Sequence, residues 1–383
     1  MENNTVVTVN VKEFKDALKN VMKLAPKATA GTFGGMIEVS SHEDGKLELR
    51  VVNTKYVNSI MYTRILNADV TDRFKVVINS QMLNKVIKKN KNKTIQFSIN
   101  IDRPDKFTIV MGKKNFSLTR SNDELPEDFA GELDGGLKLD TDKLFSAWKR
   151  VLPNVSKQES RPALLGLNHV FTKDSLDIHA TDSHRLGREI LHDIHSDTNK
   201  QFNIMGTIIK DLIKVSWEKE FLLQTSDNGS LIVLSDGTNK AEIETIEGNY
   251  PDIDRLIQRD NFKQVLTVNN TEFNDSLDMA KIATENNKSY VVAFKPDDKK
   301  LSLHAGDSFG NNYDELIGQP EMADNEKLFA ISYNPDYMVD QMSVFDKNTQ
   351  VAIKMTQPLR PIVIKPVDVD YDYVGLVTPM RTF

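Results

Sequence analysis

The chain has 383 residues, more than one hydrophobic core usually organises, so we expect two or three domains. It contains no cysteine, which excludes a disulfide framework, a thiolate nucleophile and a cysteine-ligated zinc site. A 39% hydrophobic content and a formal net charge of −6 are ordinary for a globular protein. The N-terminus lacks the pattern of a secretion signal and no apolar run matches a membrane span, so we expect a cytoplasmic protein.

The charge is distributed unevenly along the chain. Lys and Arg exceed Asp and Glu by 5 in residues 1–133, whereas the acids are in excess by 5 in residues 134–260 and by 6 in residues 261–383. A ligand responds to the local field rather than to the net charge. An acidic protein of this kind can therefore carry a basic surface.

The same order of predicted elements occurs three times along the chain. Each repeat begins with a β-rich run followed by an amphipathic helix, and the first large core residues of these helices are Phe14, Leu144 and Phe273. Because period, order and element type all recur, we predict three homologous domains, at residues 1–133, 134–260 and 261–383. Each domain reads as two strand–helix–strand halves, so the predicted fold class is α+β.

The first predicted helix has one apolar face and one basic face. Phe14 and Leu18 lie on the core stripe at helical spacing. Four lysines gather on another face because they fall at i, i+3, i+7 and i+11: Lys12, Lys15, Lys19 and Lys23. The second helix places four apolar residues on its core side: Met82, Leu83, Val86 and Ile87.

The basic bias continues in the next helices and ends in the last third of the chain. Its cations are Lys85, Lys88, Lys89, Lys143, Lys149, Arg150, Lys210 and Lys214. A solvated face explains any one of these helices, but four in succession in an acidic protein favour a surface that faces phosphates. The helices of the last third carry acids such as Asp275 and Asp278 instead. No pattern for reading or stacking on bases is present, which argues against sequence-specific binding.

Residues 178–189, IHATDSHRLGRE, read as a strand that runs into a polar bend. Asp182, Ser183 and His184 raise the alternative of a hydrolytic or nucleic-acid-acting enzyme, but triad members normally come from separate segments. His179 and His184 have no further metal-ligand cluster at suitable spacing. The favoured interpretation is an exposed strand end that carries a structural or binding loop.

Two further motifs follow, EGNYPDIDRLI at residues 247–257 and RPIVIKP with the ending TPMR at residues 360–381. With ATDSHRL, they make the chain similar to the bacterial DNA polymerase III beta subunits, the sliding clamps. The resemblance implies a non-catalytic homodimer with no cofactor and no metal. In that family, two crescents of three domains form a ring whose helices line a hole around duplex DNA and whose sheets lie outside. Expected partners are the polymerase III alpha subunit, the clamp loader and other proteins with a clamp-binding motif.

The resemblance also implies a pocket for partner peptides. Its residues are Leu164, Thr181, Ser183, His184, Arg185, Leu186, Pro251, Arg255, Leu256, Leu376, Thr378, Pro379, Met380 and Arg381. Two positions depart from the family pattern, since Ser183 stands where Gly is common and Thr378 where a larger apolar residue is common. These departures predict a peptide preference different from that of a housekeeping clamp. Thr378 and the first domain, where no comparably specific motif occurs, keep open a specialised plasmid or phage clamp that serves one replisome.

The same resemblance places the dimer interface between the end of the first domain and the first helix of the third. Phe116 and Leu118 match the apolar pair on one side. Ile282 and Ala283 align with the other side, where Ala283 is smaller than the usual residue. We therefore expect a homodimer whose strength depends on these four side chains.

Overall fold

The computed structural model describes residues 5–26, 35–54, 58–100, 103–129, 133, 135–196, 199–257, 260–284, 291–307 and 309–381. The predicted domain boundary at residue 134 lies outside these ranges. Contacts divide the chain into two compact units, one formed by Met1–Phe145 with Ile204–Glu247 and the other by Ser146–Asn203 with Gly248–Phe383. The division into three domains therefore stays a prediction from the sequence repeat.

The described residues form six α-helices and two short 3-10 helices. The α-helices are α1 (Val11–Leu24), α2 (Ser80–Lys89), α3 (Thr141–Val151), α4 (Gly206–Leu212), α5 (Asn270–Thr284) and α6 (Pro335–Met342). The 3-10 helices span Leu152–Asn154 and Pro162–Leu165. Within the described ranges, none of the helices has the length and apolarity that a membrane span needs.

The strands between these helices are mostly five to eight residues long. In chain order they are β1 (Thr5–Asn10), β2 (Met36–His42), β3 (Lys46–Asn53), β4 (Ile60–Asn67), β5 (Asp69–Val70), β6 (Lys75–Asn79), β7 (Thr94–Asn100), β8 (Arg103–Met111), β9 (Lys114–Thr119), β10 (Leu137–Asp140), β11 (Gly166–Phe171), β12 (Leu176–Thr181), β13 (Arg185–Leu191), β14 (Lys200–Met205), β15 (Glu220–Thr225), β16 (Leu231–Ser235), β17 (Asn239–Glu244), β18 (Gln264–Asn269), β19 (Val292–Asp297), β20 (Lys300–Gly306), β21 (Asn312–Gly318), β22 (Glu321–Met322), β23 (Ile331–Tyr333), β24 (Gln350–Met355), β25 (Ile362–Val367) and β26 (Asp372–Val377).

The first unit contains a five-stranded sheet, ordered β5-β1-β7-β8-β9, and an eight-stranded sheet, ordered β10-β15-β16-β17-β4-β3-β2-β6. The larger sheet joins distant parts of the chain because β17 pairs antiparallel with β4, from Asn239 opposite Arg64 to Ile243 opposite Ile60. This pairing covers strand edges that would otherwise carry unpaired main-chain groups.

The second unit likewise contains one large and one smaller sheet. Its nine-stranded sheet is ordered β14-β11-β12-β13-β26-β25-β24-β18-β22, and its four-stranded sheet is ordered β21-β20-β19-β23. Here β13 pairs antiparallel with β26 and again joins distant segments. Helices combined with antiparallel sheets confirm the predicted α+β class.

Five of the six described α-helices directly follow a strand and α6 begins one residue after β23, and a polar residue at the junction usually caps the helix. Asn10 Oδ1 accepts hydrogen bonds from the main-chain N–H groups of Lys12 and Glu13 at 2.8 and 3.3 Å. Asn79, Asp140, Asn269 and Asn334 make equivalent bonds before α2, α3, α5 and α6. These caps satisfy N–H groups that the first helical turn leaves unpaired, so the sequence marks where each helix begins.

The core side of α2 differs from the prediction at one residue. Leu83, Val86 and Ile87 are buried, but Met82 is 44% exposed. Because successive helical residues are rotated by about 100°, Met82 lies at the edge of the stripe that the other three fill. The prediction that Met82 lies inside was therefore wrong.

Candidate functional site

Three motifs of the sequence meet at one end of the nine-stranded sheet. Strand β13 begins at Arg185, which lies opposite Val377 at the end of β26. The bend before β13 therefore adjoins the tail after β26, and the Thr378 N–H donates to the main-chain oxygen of His184 at 2.8 Å. The tail continues along β23, where the Met380 N–H donates to the oxygen of Ser332 at 2.7 Å. The described end of the chain is thus held by main-chain hydrogen bonds.

The bend at residues 182–184 is organised by its own polar side chains. Asp182 Oδ1 accepts hydrogen bonds from the N–H groups of His184 and Arg185 at 2.9 and 3.0 Å. Ser183 has a φ of 79°, in the left-handed region that favours glycine. Its hydroxyl accepts a hydrogen bond from Arg161 Nη1 at 2.8 Å. The serine at this position therefore connects the bend to Arg161.

Arg185 and His184 are held by helix α6. The Arg185 side chain is buried, with Nε 3.1 Å from Asp182 Oδ2 and Nη1 paired with Asp340. The exposed His184 ring stacks on Tyr337, with centroids 5.6 Å apart and an interplanar angle of 9°. The Arg185 guanidinium lies 5.1 Å from the centroid of the same tyrosine ring. The polar side chains of His184 and Arg185 are therefore held in fixed positions beside the bend.

The apolar part of the site is a cluster on the sheet face beside the bend. Leu186 and Leu376, which are opposite each other on β13 and β26, pack with Val363 and Val374 and with residues of the 247–257 segment. Those residues are Ile253 and Ile257, with Tyr250 packed against the cluster. The Tyr250 hydroxyl accepts a hydrogen bond from the Thr181 N–H at 2.9 Å, and burial raises its pKa above the usual value. The segment at residues 247–257, called the hinge from here on, is thus anchored to the ATDSHRL motif.

Two facing glycines allow a polar network behind this cluster. A Cβ atom at Gly187 would collide with the Asn154 amide, and one at Gly375 would collide with the Gln341 amide. The Gln341 amide donates to Asn154 and, at 3.1 Å, to the main-chain oxygen of Leu186. Tyr373 donates its hydroxyl to Gln341 Oε1 at 3.0 Å. This network fixes the join between β13 and β26, on which the site depends.

The structure separates the predicted pocket residues into buried and exposed members. Thr181, Arg185 and three leucines are covered within the chain, with Leu164, Leu186 and Leu376 at 4%, 2% and 3% exposure. Pro251, Arg255, Leu256, Ser183, His184 and Arg381 are exposed, and Thr378, Pro379 and Met380 are half-buried. Leu256, at 49% exposure, supplies apolar surface on the hinge side.

Sequence reasoning missed several residues at this end of the sheet. Arg161, Tyr250, Tyr337 and Asp340 make the contacts described above. Leu359, which is 57% exposed, lies in the turn before β25, whose first residue pairs with Val377. The N-cap at Asn334 marks α6 in the sequence, but its contact with the distant bend depends on tertiary pairing.

The hydrolytic alternative does not match this geometry. The Asp182 carboxylate binds main-chain N–H groups and Arg185, Ser183 bonds to Arg161, and the His184 ring stacks on Tyr337. The three side chains therefore do not form a relay from acid to base to nucleophile. His179 is buried against Asn168 and Asp177. Within the described ranges, no group of three His, Asp or Glu residues is arranged to hold a metal ion.

The lysines of α1 fall into two pairs. Lys12 and Lys19 are exposed. Lys15 Nζ donates to the main-chain oxygen of Asn90 at 2.7 Å, and Lys23 Nζ donates to the oxygen of Lys214 and to Asn20 Oδ1. Burial, with the charge of Lys19 next, lowers the pKa of Lys23. The second pair therefore ties α1 to the ends of α2 and α4.

The other predicted DNA-facing residues are exposed, with one exception. Six of them lie at the surface of their helices, namely Lys85, Lys88, Lys89, Lys143, Lys149 and Lys210, and Lys214 is exposed in the turn after α4. Arg150 instead forms a two-point ion pair with the fully buried Glu189, at 2.6 and 2.5 Å, and stacks 4.0 Å over the Tyr371 ring. Its guanidinium is committed to a buried carboxylate, so Arg150 is not a surface cation.

The four predicted interface residues also differ in exposure. Phe116 and Leu118 lie on β9, an edge strand, but Phe116 is 39% exposed and Leu118 only 5%. On α5, Ile282 is 65% exposed and Ala283 is 8% exposed. Phe116 and Ile282 therefore present apolar surface, whereas Leu118 and Ala283 belong to the core of the single chain.

Comparison with known proteins places this architecture in a defined class. The solved DNA polymerase III beta chain of Streptococcus pneumoniae matches with a TM-score of 0.89 at 22% identity, covering 99% of this chain and 100% of that one. The sliding clamp of Bacillus subtilis matches with a TM-score of 0.86 at 20% identity and covers 100% of both chains. The fold is therefore that of the bacterial DNA polymerase clamps.

Sequence comparisons agree with the structural ones. The protein-family model of the DNA polymerase III beta subunit central domain matches residues 138–252, and the family model of its C-terminal domain matches residues 255–381. The beta sliding clamp of Staphylococcus epidermidis is 24% identical over 382 residues, 97% of each chain, and that of Streptococcus pneumoniae is 28% identical over 238 residues, 59% of each. The chain belongs to the DNA polymerase III beta subunit family, the beta sliding clamps.

Proposed function

We propose that this chain acts as a DNA sliding clamp: a non-catalytic, cytoplasmic ring of two copies that encircles duplex DNA and tethers the replicative polymerase. The observation that carries the proposal is the match of the two family models to residues 138–252 and 255–381, which contain the bend, the tail and all but two residues of the hinge. The clamp loader, the polymerase III alpha subunit and other proteins with a clamp-binding motif are its proposed partners.

The proposed DNA contacts are the exposed lysines of the first four helices. They are Lys12, Lys19, Lys85, Lys88, Lys89, Lys143, Lys149, Lys210 and Lys214. Such side chains attract phosphates without reading bases, as a protein that slides requires. Lys15, Lys23 and Arg150 are only partly exposed and donate to main-chain oxygens or to a buried carboxylate, so we assign them a smaller part.

Ring closure is proposed to use the free sheet edges. Strand β9 ends the five-stranded sheet and β21 ends the four-stranded sheet. Head-to-tail pairing of β9 from one copy with β21 of another would leave no open edge at either contact. Exposed apolar residues accompany both edges, namely Phe116 on β9, Leu316 on β21 and Ile282 on α5.

The partner pocket is proposed at the end of the nine-stranded sheet, between the bend, the hinge and the tail. Its apolar surface comes from the exposed Leu256 and Pro251 on one side and from the half-buried Pro379 and Met380 on the other. An apolar groove with a few fixed polar groups suits a short peptide. Arg161, His184 and Tyr337 supply the polar groups.

Removal of residues 380–383 tests the pocket. We expect the truncated protein to remain a dimer, because Met380 bonds to β23, at the opposite end of its sheet from the edge strand β21. Binding of a peptide from the alpha subunit should fall at least about tenfold, as for loss of a contact worth 1.4 kcal/mol. Fluorescence anisotropy measures the affinity and sedimentation measures the dimer. Equal peptide affinity with and without the tail would show that the pocket lies elsewhere.

A topological assay tests the function itself. The protein is loaded by a clamp loader onto nicked circular DNA, the free protein is removed, and the DNA is cut once. A ring that encircles DNA should stay on the circle and leave after the cut. Release from the intact circle at the same rate as from linear DNA would contradict the proposal.

A further inference from the structure

A cavity of about 290 Å³ opens on the face of the nine-stranded sheet, next to the proposed pocket. Its floor is apolar and is formed by Ile190, Ile257, Phe262 and Val374. Ile257 and Val374 also belong to the cluster that contains Leu186 and Leu376. The cavity and the apolar part of the pocket therefore share a wall.

The rim of the cavity is cationic. Arg188, Lys354 and Lys365 line it, together with one acid, Asp372. Lys354 Nζ lies 5.4 Å from the centroid of the Phe262 ring, a distance that suits a cation–π contact. An ammonium group is thereby held over the apolar floor.

The three cations differ in their partners. Arg188 pairs with Asp177 at 2.5 Å and with Asp254 at 3.0 Å, which neutralises it within the chain. Among the described residues, neither Lys354 nor Lys365 has a carboxylate within ion-pairing distance. The rim acid Asp372 faces His192 at 3.2 Å. Two half-buried ammonium groups thus remain available to an external anion.

Strand register relates these lysines to the pocket. Leu186 lies opposite Leu376, Leu376 opposite Val363, and Val363 opposite Lys354, so all four side chains are on one sheet face. Lys354 is two strands from Leu376, about 10 Å away at the usual strand spacing. An extended peptide covers about 10 Å in three residues.

We propose that this cavity is a second recognition site, which takes an acidic side chain of the partner segment bound in the neighbouring pocket. The inference rests on the proposed function, because it assigns the occupant to a protein docked as a clamp partner. The acid is placed about three residues from the apolar anchor. The two unpaired lysines attract its carboxylate, and the floor of Ile257, Phe262 and Val374 packs its methylene groups.

The test uses fluorescein-labelled decapeptides with a Leu-Phe anchor and a Glu placed two, three or four residues to either side of it. Matched peptides carry Gln instead of Glu. Affinities are measured by fluorescence anisotropy for the wild-type protein, for Lys354→Ala/Lys365→Ala, and for the control Lys173→Ala/Lys347→Ala, whose lysines are exposed on the same unit.

At one spacing, the wild-type protein should bind the Glu peptide about fivefold more tightly than its Gln partner, as for one partly exposed ion pair. This preference should vanish in the Lys354→Ala/Lys365→Ala variant and persist in the control. No preference at any spacing, or one that survives in the variant, would overturn the second site. If all peptides bind equally, the pocket itself stands. If none binds, the pocket fails and the second site with it.

Discussion

Helices α1 and α5 start the first and the last predicted domains. Their core-facing residues occupy equivalent positions, but their exposed residues differ. Phe14, Ala17, Leu18 and Val21 are buried on α1, and Phe273, Ser276, Leu277 and Ala280 are buried at equivalent positions of α5. An asparagine caps each start. Yet Lys19 corresponds to Asp278 and Lys23 to Ile282.

This difference shows which residues of a helix specify its fold and which residues determine what its exposed surface binds. The i, i+3, i+4, i+7 pattern and the cap give both helices the same start and the same packing. Exposed residues such as Lys19 and Asp278 bear little on packing, so they differ between the repeats. A phosphate-facing surface is expected on α1, whereas the exposed Met279 and Ile282 of α5 suit contact with a second copy.

The largest effect should come from removing the equivalent core phenylalanine beneath each helix. Phe14 packs 5.1 Å from Phe97, and Phe273 packs 6.0 Å from Phe294, measured between ring centroids. Phe14→Ala and Phe273→Ala should each lower the unfolding free energy of their region by about 3–5 kcal/mol, because each leaves a cavity. Urea titration measures the unfolding free energy of each variant, and hydrogen exchange locates the region that is destabilised. A loss at only one helix would show that the two cores are not equivalent.

A second prediction concerns α3, where Trp148 takes the core position of Leu18 and Leu277. Its indole N–H donates to His169 Nε2 at 2.7 Å, and burial lowers the pKa of His169 to about 3. In the unfolded chain this pKa is about 6.5. The unfolded state therefore binds more protons between these values, so the stabilisation is complete above pH 6.5 and is lost as the pH falls.

Lowering the pH from 7 to 5 should cost about 2 kcal/mol of stability through this histidine. Unfolding free energies at the two pH values measure the loss in the wild-type protein. His169→Gln keeps an acceptor for Trp148 and should remove that part of the pH dependence. An identical pH profile for the variant would rule out His169 as the source.

A smaller effect should separate the two pairs of lysines on α1. Lys15 and Lys23 donate to main-chain oxygens, so Lys15→Ala/Lys23→Ala should lower the unfolding free energy by about 1–2 kcal/mol. Lys12→Ala/Lys19→Ala is the matched control and should change stability by less than about 0.5 kcal/mol. Thermal unfolding compares them. Equal stability of both variants would mean that the carbonyl contacts contribute nothing.

Much of this organisation could be predicted from the sequence because it is local. The core spacing around Phe14 and Phe273, the asparagine caps and the bend at Asp182 each depend on residues within a few positions. Arg150 could not be placed correctly, because its partner Glu189 is 39 residues away and meets it only in the fold. Lys15 shows the same limit, since its acceptor at Asn90 is 75 residues away.

The proposed pocket also has parts that the sequence predicts and parts that only the fold reveals. The motifs around His184, Pro251 and Met380 marked its three segments, and family resemblance joined them. Strand pairing between β13 and β26 then brings in Tyr337 and Arg161, which no local pattern signals. The burial of Leu186 and Leu376 also depends on the hinge segment that packs over them.

The salt dependence of DNA association tests most directly whether α1 and α5 differ in use as their surfaces indicate. Association with a short duplex is measured by anisotropy between about 20 and about 200 mM salt. The measurement compares Lys12→Ala/Lys19→Ala with Asp275→Asn/Asp278→Asn, a control that also removes two charges but from α5. The lysine variant should flatten the slope of log K against log salt by about 1.8, and the α5 variant should leave it unchanged. An unchanged slope in the lysine variant would contradict a phosphate-facing role for α1.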